Sequence, residues 1–404
     1  MSKILLLTPI YPSPDKKQKG TPVVHYFAKE WVKQGHQVVV CHYPANFPVI
    51  LRFMAKPILK ILESKCSDYI TVDYIDRKDF IYENVNVYRI PLKKYRPHTR
   101  PSKKQINKVV TATSDICTSI NFTPDIIIGH WVNPQIDIMA ELKKYFNVPT
   151  CLVMHGGGGD IKSLYKDKTE NVIKNIDAFG FRSKALKEHF ENLYGQVAKS
   201  FYCYSGVPKA FCDGIQTRDR NFEKVHSFVF VGMLIQRKYP FETLKALYSS
   251  DFDEFSMKFI GDGAEGEKIK SFLSSNTGRS RCRTELLGRI PREEIKHHLL
   301  ESDIFIMISK NEVFGLVYLE AMATGCIPIA SRNEGFDGII KDGFNGFLCE
   351  AGNEEELTRI LNKIRLMPPI ELQQISQNAI ATANNMTDDK VAKRYITDVE
   401  SLLL

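Results

Sequence analysis

The sequence predicts an α/β protein made of two doubly wound domains, each a parallel sheet with helices on both faces. Short apolar runs typical of buried strands alternate with helix-like segments along the chain, and this alternation is the pattern of parallel sheets. The alternation restarts after a polar run at 213–224, which indicates a connection between domains. We therefore expect a first domain at 1–204, a second domain at 205–387 and a cleft between them.

The individual strands are predicted from the apolar runs, and the loops after them are where we expect chemistry. A helix is expected at 21–34, because Gly35 is typical of the residue that ends a helix. In doubly wound sheets, ligands bind beyond the carboxyl ends of the strands. The predicted strands are 3–8, 37–41, 69–75, 84–90, 125–129, 150–154 and 178–181 in the first domain, and 227–231, 257–260, 284–287, 304–308 and 327–330 in the second.

The composition excludes several classes of protein. The chain has 404 residues, of which 43% are hydrophobic and 25% charged, so it is neither disordered nor a small disulfide-stapled module. The nine cysteines include no CxxC pair, and we expect buried, reduced thiols and no bound metal. The longest apolar runs fall well short of the roughly 18 residues of a membrane-spanning helix. With no signal-peptide pattern at 1–9, we expect a cytoplasmic protein.

The positive charge is concentrated in the first half. Residues 1–200 contain 30 Lys and Arg against 18 Asp and Glu, although the whole chain has a net charge of only +8. One basic stretch, between Phe47 and Lys65, mixes apolar and basic residues as a segment on an anionic membrane surface would. An ordinary solvated helix explains that pattern equally well. No recognised nucleic-acid-binding motif is present, so nucleic acid is not an expected partner.

The strongest motif lies at 309–328, directly after the predicted strand 304–308. A helix opens there, so the backbone amides near Phe314, Gly315 and Leu316 are expected to face outward at a helix N-terminus. Such amides form an anion site suited to a diphosphate. Glu312 in the loop is placed to accept hydrogen bonds from sugar hydroxyls, or it is simply a carboxylate favoured by the helix dipole.

Glu320 lies within the following helix, among apolar neighbours. A helical side chain leans toward the N-terminus, where a carboxylate would accept bonds from a ribose diol. The alternative is a solvated helix residue, which the apolar neighbours disfavour.

This stretch closely resembles the nucleotide-sugar-binding signature of the family 4 glycosyltransferases, which are retaining enzymes with the GT-B fold of two Rossmann-like domains. Glu312 and Glu320 have the E-x7-E spacing of that family, and 335–338 with 342–348 resembles its downstream continuation. The resemblance covers most of the second half of the chain and little of the first. It implies that Glu312 contacts donor-sugar hydroxyls, that Glu320 holds the ribose, and that the segment 314–316 meets phosphate or sugar. It also implies that a final helix at 388–404 packs back on the first domain.

A second segment of the resemblance, Gly232 to Lys238, would supply positive charge to the donor site. Lys238 matches the lysine of the family, whereas Met233 stands where the family has an arginine. Arg237 is a conjectural substitute for that arginine. A cation here would neutralise the charge that builds on the departing diphosphate without a metal. The alternative is a surface Arg-Lys pair at a helix start.

The first half contributes a histidine and a glycine run that are similar to the histidine-glycine-x-aspartate region of the family. His155 follows a predicted strand and precedes four glycines. We expect it near the anomeric carbon, bonded to donor-sugar hydroxyls, although a structural histidine is the alternative. His130 also follows a strand, with the functional and structural interpretations evenly balanced. Gly20 stands where the family has two glycines that border phosphate and acceptor.

Two further segments are assigned to the nucleotide pocket by the resemblance. Gly263 lies in a GxGxxG match in the second half, which we interpret as a turn lining this pocket and not as a dehydrogenase motif. Arg289 and Ile290 lie in the segment whose backbone contacts the base.

The sequence therefore predicts a retaining glycosyltransferase that needs neither metal nor cofactor. It would move a sugar from a nucleotide-sugar donor, with UDP favoured over GDP, to a saccharide acceptor. If the stretch from Phe47 to Lys65 docks on the inner leaflet, a lipid-linked saccharide in surface polysaccharide synthesis is the natural acceptor. The alternatives are a sugar-nucleotide epimerase of the same fold and a non-catalytic scaffold that binds nucleotide sugars.

Overall fold

The structure is a computed structural model that describes residues 1–15, 22–48, 74–95, 99–214, 222–276 and 281–404. The chain divides into two compact units. The first contains 1–182, 186–203 and 391–404, and the second contains 183–185 and 204–390. The observed boundaries thus fall after 203 and after 390, next to the predicted boundaries after 204 and after 387.

The first unit is built on a sheet of eight strands within the described residues, in the order β10-β9-β8-β7-β1-β2-β5-β4. All neighbours are parallel except β4 and β5. The interior strands are completely or almost completely buried, because helices cover both faces. The strands of this unit are β1 Lys3–Thr8, β2 Gln37–His42, β3 Ala45–Asn46, β4 Lys78–Tyr82, β5 Val85–Arg89, β6 Leu92–Lys93, β7 Ile126–His130, β8 Thr150–Met154, β9 Ala178–Phe181 and β10 Ser200–Tyr202. Of these ten, β3 and β6 pair with each other outside the eight-stranded sheet.

The second unit has a parallel sheet whose described strands run in the order β13-β12-β11-β14-β15-β16. The strand order reverses between β11 and β14, which lie side by side. Such a switch point leaves a crevice at the carboxyl ends of the two strands. The strands are β11 Ser227–Val231, β12 Phe255–Ile260, β13 Cys282–Gly288, β14 Ile304–Ile306, β15 Ile327–Ser331 and β16 Phe347–Cys349.

The helices end where the sequence provides suitable caps. The helix Val23–Lys33 ends in a Schellman motif, in which Gly35 N donates to Val32 O and His36 N donates to Trp31 O. Gly35 has a φ of +91°, which explains the glycine there. The other described helices are Lys103–Ser119, Gln135–Phe146, Gly159–Tyr165, Thr169–Lys174, Lys184–Tyr194, Lys209–Cys212, Pro240–Ser249, Glu265–Ser275, Arg292–Glu301, Leu316–Ala323, Glu354–Leu366, Pro369–Asn384 and Asp388–Leu403.

The predicted strand at 69–75 is wrong at the two positions that the structure describes, 74 and 75. Residues 74 and 75 are not in a strand, and the residues before them lie outside the described part. The strand that precedes β5 is Lys78–Tyr82, which pairs with β5 in antiparallel fashion. Glu83 and Asn84, both with positive φ, form the two-residue turn between them. The strand was missed because it is a largely exposed edge strand without a continuous apolar run.

The helix Asp388–Leu403 joins the core of the first unit through residues 391–404. Trp31 is completely buried, and its Nε1 donates to Ala392 O at 2.9 Å. The Tyr395 ring packs edge-on against Trp31 and Phe27, with centroid distances of 4.9 and 5.1 Å. The first unit is therefore assembled from both ends of the sequence.

Two other features of the described residues bear on the sequence predictions. All eight described cysteines are free, and seven of them are buried. No helix in the described ranges combines the length and apolar character needed to span a bilayer. Most of the basic stretch from Phe47 to Lys65 lies outside the described residues.

Candidate active site

The site residues of the second unit follow strands that meet at its switch point. Lys238 ends the short 3-10 helix Gln236–Lys238 in the connection after β11, and Glu312 lies in the loop after β14. Because β11 and β14 are hydrogen-bonded neighbours, both loops leave the same end of the sheet. The fold therefore brings together two motifs that are 74 residues apart in the sequence.

Glycines allow the neighbouring loops to pack backbone against backbone. A Cβ on Gly261 would lie 1.9 Å from Gly232 O, and one on Gly263 would lie 2.3 Å from Leu234 O. Both glycines also have positive φ, at +136° and +151°. Leu234 N donates to Asp262 O at 2.7 Å across this contact. Gly263 thus shapes the loop after β11, consistent with a close-packed turn beside the candidate nucleotide pocket.

Lys238 and Glu312 form an ion pair at the centre of this end of the sheet. Lys238 Nζ lies 3.0 Å from Glu312 Oε2, and the two side chains are only 11% and 13% exposed. Ser309 Oγ donates to the same carboxylate oxygen at 3.4 Å. Glu312 N in turn donates to Glu334 Oε2 at 2.8 Å, which fixes the loop. The alternative of a surface Arg-Lys pair does not describe Lys238, because its ammonium group is withdrawn from water.

Arg237 adds a second cation to this cluster. Its Nη1 lies 3.8 Å from Glu312 Oε2 and is buried, with no hydrogen-bond partner among the residues that the structure describes. A buried guanidinium nitrogen that lacks a partner fits an anionic ligand. Met233, which stands at the usual arginine position, is half exposed at 48%. The structure thus places Arg237 beside the carboxylate.

The segment Phe314 to Leu316 forms the start of the helix Leu316–Ala323. Gly315 is the N-cap residue with a φ of +80°, and a Cβ there would lie 2.4 Å from the Tyr318 ring. Phe314 is buried and packs edge-on against Phe336, with a centroid distance of 5.3 Å. A Cβ on Gly335 would lie 2.5 Å from Glu312 O, so the downstream motif packs directly on this loop. Tyr318 N donates to Gly315 O at 3.0 Å within the first turn, and the N-terminus of a helix is in general a favourable place for an anion.

Glu320 is buried, so the alternative of a solvated helix residue is wrong. Its Oε1 accepts hydrogen bonds from Arg292 Nε at 3.0 Å and from Arg292 Nη2 at 2.5 Å. Arg292 begins the helix Arg292–Glu301, and its side chain is 34% exposed. Arg292 was not predicted from the sequence. The available signal was Glu320 itself, because a carboxylate among apolar neighbours needs a partner.

The segment assigned to the base follows β13. Gly288 has a φ of +68°, and Gly261 N donates to Gly288 O at 2.7 Å, which joins this segment to the loop after β12. Arg289 is exposed, and its Nε donates to Asp262 Oδ1 at 2.7 Å. Ile290 is half-buried. The structure therefore places Arg289 and Ile290 beside the Gly261–Gly263 turn, at the same end of the sheet as Lys238.

The candidate residues of the first unit follow β7 and β8. His155 comes directly after β8, and its Nε2 lies 2.9 Å from Nδ1 of His130, the last residue of β7. Trp131 stacks on the His155 ring at a centroid distance of 3.8 Å. His130 Nε2 lies 3.3 Å from the Tyr395 hydroxyl. His130, which the sequence left evenly balanced, is thus the direct neighbour of His155.

The surroundings of both histidines favour the neutral imidazole. Burial, together with the nearby Arg182 guanidinium, lowers the pKa of His130 well below the ordinary histidine value. Burial also lowers the pKa of His155 strongly, and His130 and Arg182 lower it further. Neutral imidazoles suit hydrogen bonding to uncharged sugar hydroxyls.

Two of the sequence predictions for the site, Gly20 and the absence of a metal, stay predictions. Gly20 lies outside the described residues. No group of three or more His, Cys, Asp or Glu side chains able to hold a metal ion occurs in the described ranges. Metal independence remains a prediction.

Comparison with known proteins identifies the family. Residues 215–382, which include the loops of the second unit, match the family model described as "Glycosyl transferases group 1". An uncharacterized glycosyltransferase of Methanocaldococcus jannaschii is 30% identical over 285 residues, which is 68% of this chain and 74% of that protein. The chain belongs to the glycosyl transferases group 1 family. As a member of this family it is a glycosyltransferase.

Further relatives of this group 1 glycosyltransferase extend over most of the chain. A putative teichuronic acid biosynthesis glycosyltransferase of Bacillus subtilis is 25% identical over 355 residues, covering 82% of this chain and 81% of that protein. The solved lipopolysaccharide outer core galactosyltransferase WaaB has a TM-score of 0.70 at 17% identity, covering 99% of this chain and all of that one. Anabaena HepE with UDP and glucose has a TM-score of 0.64 at 17% identity, with the same coverage. These solved structures show the fold, and the predicted GT-B fold is confirmed.

Proposed function

We propose that this glycosyltransferase moves a sugar from a nucleoside diphosphate donor to a saccharide acceptor with retention of configuration. The observation that carries the proposal is the ion pair of Lys238 and Glu312 at the switch point, with the buried Nη1 of Arg237 beside it. Two cations and one carboxylate at a helix N-terminus match the groups of a diphosphate joined to a polyhydroxylated ring. An epimerase would need the same donor pocket, but the family assignment favours transfer.

Each member of the cluster has a distinct role in the donor site. Lys238 and Arg237 bind the diphosphate, together with the amides at Gly315 and Leu316. Once Lys238 and Arg237 also bind the phosphates, the Glu312 carboxylate accepts hydrogen bonds from hydroxyls of the donor sugar. Glu320, held by Arg292, accepts bonds from the ribose hydroxyls.

The proposed chemical step needs no carboxylate nucleophile. The bond between the anomeric carbon and the leaving phosphate oxygen breaks, and a bond from that carbon to the acceptor oxygen forms on the same face. The acceptor proton passes to the leaving diphosphate. Lys238 stabilises the negative charge that develops on this diphosphate, and such preorganised charge is usually a large contribution to catalysis. His155 hydrogen-bonds a hydroxyl of the donor sugar.

The finer identity of the substrates is supported by relatives. The UDP and UDP-glucose complexes of Anabaena HepE favour UDP over GDP as the donor nucleotide. The teichuronic acid and lipopolysaccharide core enzymes favour an acceptor in surface polysaccharide synthesis. We further propose that this acceptor is a lipid-linked saccharide at the inner face of the membrane. We propose that the protein acts there without a metal ion, as a peripheral cytoplasmic enzyme.

Replacing Glu320 by Gln is expected to weaken binding of the donor nucleotide. The loss of a hydrogen bond to a charged group costs about 1.5–3 kcal/mol, so the Kd should rise by about 10- to 100-fold. Calorimetric titration with UDP, GDP, ADP and dTDP in metal-free buffer measures this change and also identifies the base.

The control for this titration is Glu356→Gln. Glu356 is also paired with an arginine of the same unit, Arg332 at 2.9 Å, but it lies outside the proposed site. We expect wild-type affinity from this variant. Unchanged affinity in Glu320→Gln would refute the ribose assignment, and no binding of any nucleotide to the wild-type protein would favour the scaffold alternative.

The membrane proposal is tested with charge variants. Replacing Arg52, Lys56 and Lys60 together by Gln should reduce co-sedimentation with vesicles containing anionic lipid, because each basic residue near such a surface contributes about 1 kcal/mol. The matched control replaces three exposed lysines of the same domain, Lys166, Lys168 and Lys174. Equal binding by the two triple variants would show that the stretch from Phe47 to Lys65 is not the docking surface.

A further inference from the structure

His155 is connected to a hydrogen-bonded chain that ends in the core of the first unit. Its Nε2 lies 2.9 Å from His130 Nδ1, and His130 Nε2 lies 3.3 Å from the Tyr395 hydroxyl. His130 is completely buried and Tyr395 is 1% exposed. Both ring nitrogens of His130 therefore have protein atoms as hydrogen-bond partners.

The chain has only two consistent arrangements of its protons. A neutral imidazole carries one N–H and one acceptor nitrogen. If the Tyr395 hydroxyl donates to His130, the proton of His130 must be on Nδ1 and must be donated to His155. If Tyr395 accepts from His130, both histidines carry the proton on Nε2. In the first arrangement Nδ1 of His155 is a hydrogen-bond donor, and in the second it is an acceptor.

The surroundings of Tyr395 favour donation to His130. Burial raises the pKa of Tyr395 well above its ordinary value, so the hydroxyl retains its proton. The other polar groups near Tyr395 are the thiols of Cys203 and Cys151 and the Arg182 guanidinium. A thiol sulfur is a weak hydrogen-bond acceptor compared with an imidazole nitrogen, and a guanidinium offers no acceptor. The low pKa of both histidines keeps them neutral, which this arrangement requires.

We propose that Tyr395 and His130 are positioning residues that fix His155 as the tautomer with its proton on Nδ1. In this state His155 Nε2 accepts from His130, and Nδ1 is left as a hydrogen-bond donor. Nδ1 of the half-buried ring has no hydrogen-bond partner among the described residues. Trp131, stacked at 3.8 Å and 12°, holds the ring plane.

For the reaction, this tautomer means that Nδ1 of His155 can donate a hydrogen bond to the sugar but cannot accept one. A sugar hydroxyl or ring oxygen facing Nδ1 would have to accept a hydrogen bond, so an accepting oxygen is selected at this place. The inference rests on the proposed function, in which His155 contacts the donor sugar. The tautomer itself is a property of the free protein and is measurable without any substrate.

Nitrogen-15 NMR of the full chain labelled at histidine tests the proposal. Long-range nitrogen–proton correlations distinguish a protonated ring nitrogen from an unprotonated one, and the ten histidines give few signals. Spectra of His155→Gln and His130→Asn assign the two rings. We expect both His130 and His155 to carry the proton on Nδ1 in the wild-type protein at pH 7.

Tyr395→Phe removes the hydroxyl that determines which ring nitrogens of His130 and His155 carry the protons. Without that hydroxyl, Nε2 of His130 no longer has to act as an acceptor and can carry the proton of this ring. We then expect the proton of His155 to shift to its own Nε2 wholly or in part. The control, Tyr43→Phe, removes a buried hydroxyl of the same unit that bonds Thr113 at 2.8 Å, and it should leave the His155 signals unchanged.

Two results would overturn the proposal. One is a wild-type His155 that carries its proton on Nε2, which requires no variant to observe. The other is a Tyr395→Phe protein with wild-type His155 signals. Because these spectra are recorded without nucleotide, they remain independent of the titration that tests the proposed function.

Discussion

Replacing Lys238 by Met is expected to lower the turnover of the donor by about 100- to 1000-fold. The substitution keeps the length of the side chain and removes the charge that stabilises the departing diphosphate. The fold should be retained, because Glu312 keeps contacts to Ser309 and Arg237 at 3.4 and 3.8 Å. Release of nucleoside diphosphate from the nucleotide sugar measures the effect, with thermal unfolding recorded beside it.

Lys245→Met is the matched control for this experiment. Lys245 belongs to the same unit and is also paired with a glutamate, Glu354, but it lies outside the cluster. We expect turnover within a factor of two to three of the wild type, since partly exposed ion pairs contribute little to stability. Wild-type turnover in Lys238→Met would contradict the assignment of Lys238 to the leaving group.

Gly261→Ala is expected to give the largest loss of stability among these variants. The new Cβ would lie 1.9 Å from Gly232 O, on a backbone with a φ of +136°. A strained backbone and overpacking each cost about 1–3 kcal/mol, so the free energy of unfolding should fall by about 2–6 kcal/mol. Equilibrium urea unfolding measures this loss, and nucleotide affinity should fall because the loop after β11 must move.

Gly343→Ala separates the clash from the backbone preference. Gly343 has a φ of +74°, and a Cβ there meets nothing within 4 Å. Its cost should be about 1–2 kcal/mol, with unchanged nucleotide affinity. Equal costs in the two variants would mean that the close approach of Gly261 to Gly232 has no energetic importance.

The sequence predicted the interior of both sheets because buried parallel strands are continuous apolar runs. The run 150–154, for example, has the bounds of the observed strand. The edge strand Lys78–Tyr82 was missed, since an exposed edge has no such run. Its turn residues Glu83 and Asn84 adopt positive φ, which only the structure reveals.

The sequence identified individual residues of the candidate site, but it did not predict which of them contact one another. Lys238 and Glu312 were each identified from a motif, whereas their ion pair depends on the adjacency of β11 and β14, which no local pattern encodes. Arg292 belongs to no motif, and many cations were available as partners for Glu320. The environment of His130 involves Tyr395, which is 265 residues away in the sequence.

The packing of residues 391–404 into the first unit has a consequence for synthesis on the ribosome. Trp31, Phe27 and His130 are made early, yet the helix that covers them is made only after the entire second unit. Their apolar surface therefore stays exposed while nearly all of the remaining chain is translated. We expect nascent chains that stop before residue 391 to bind chaperones that recognise exposed apolar segments, and to release them once the last helix has emerged.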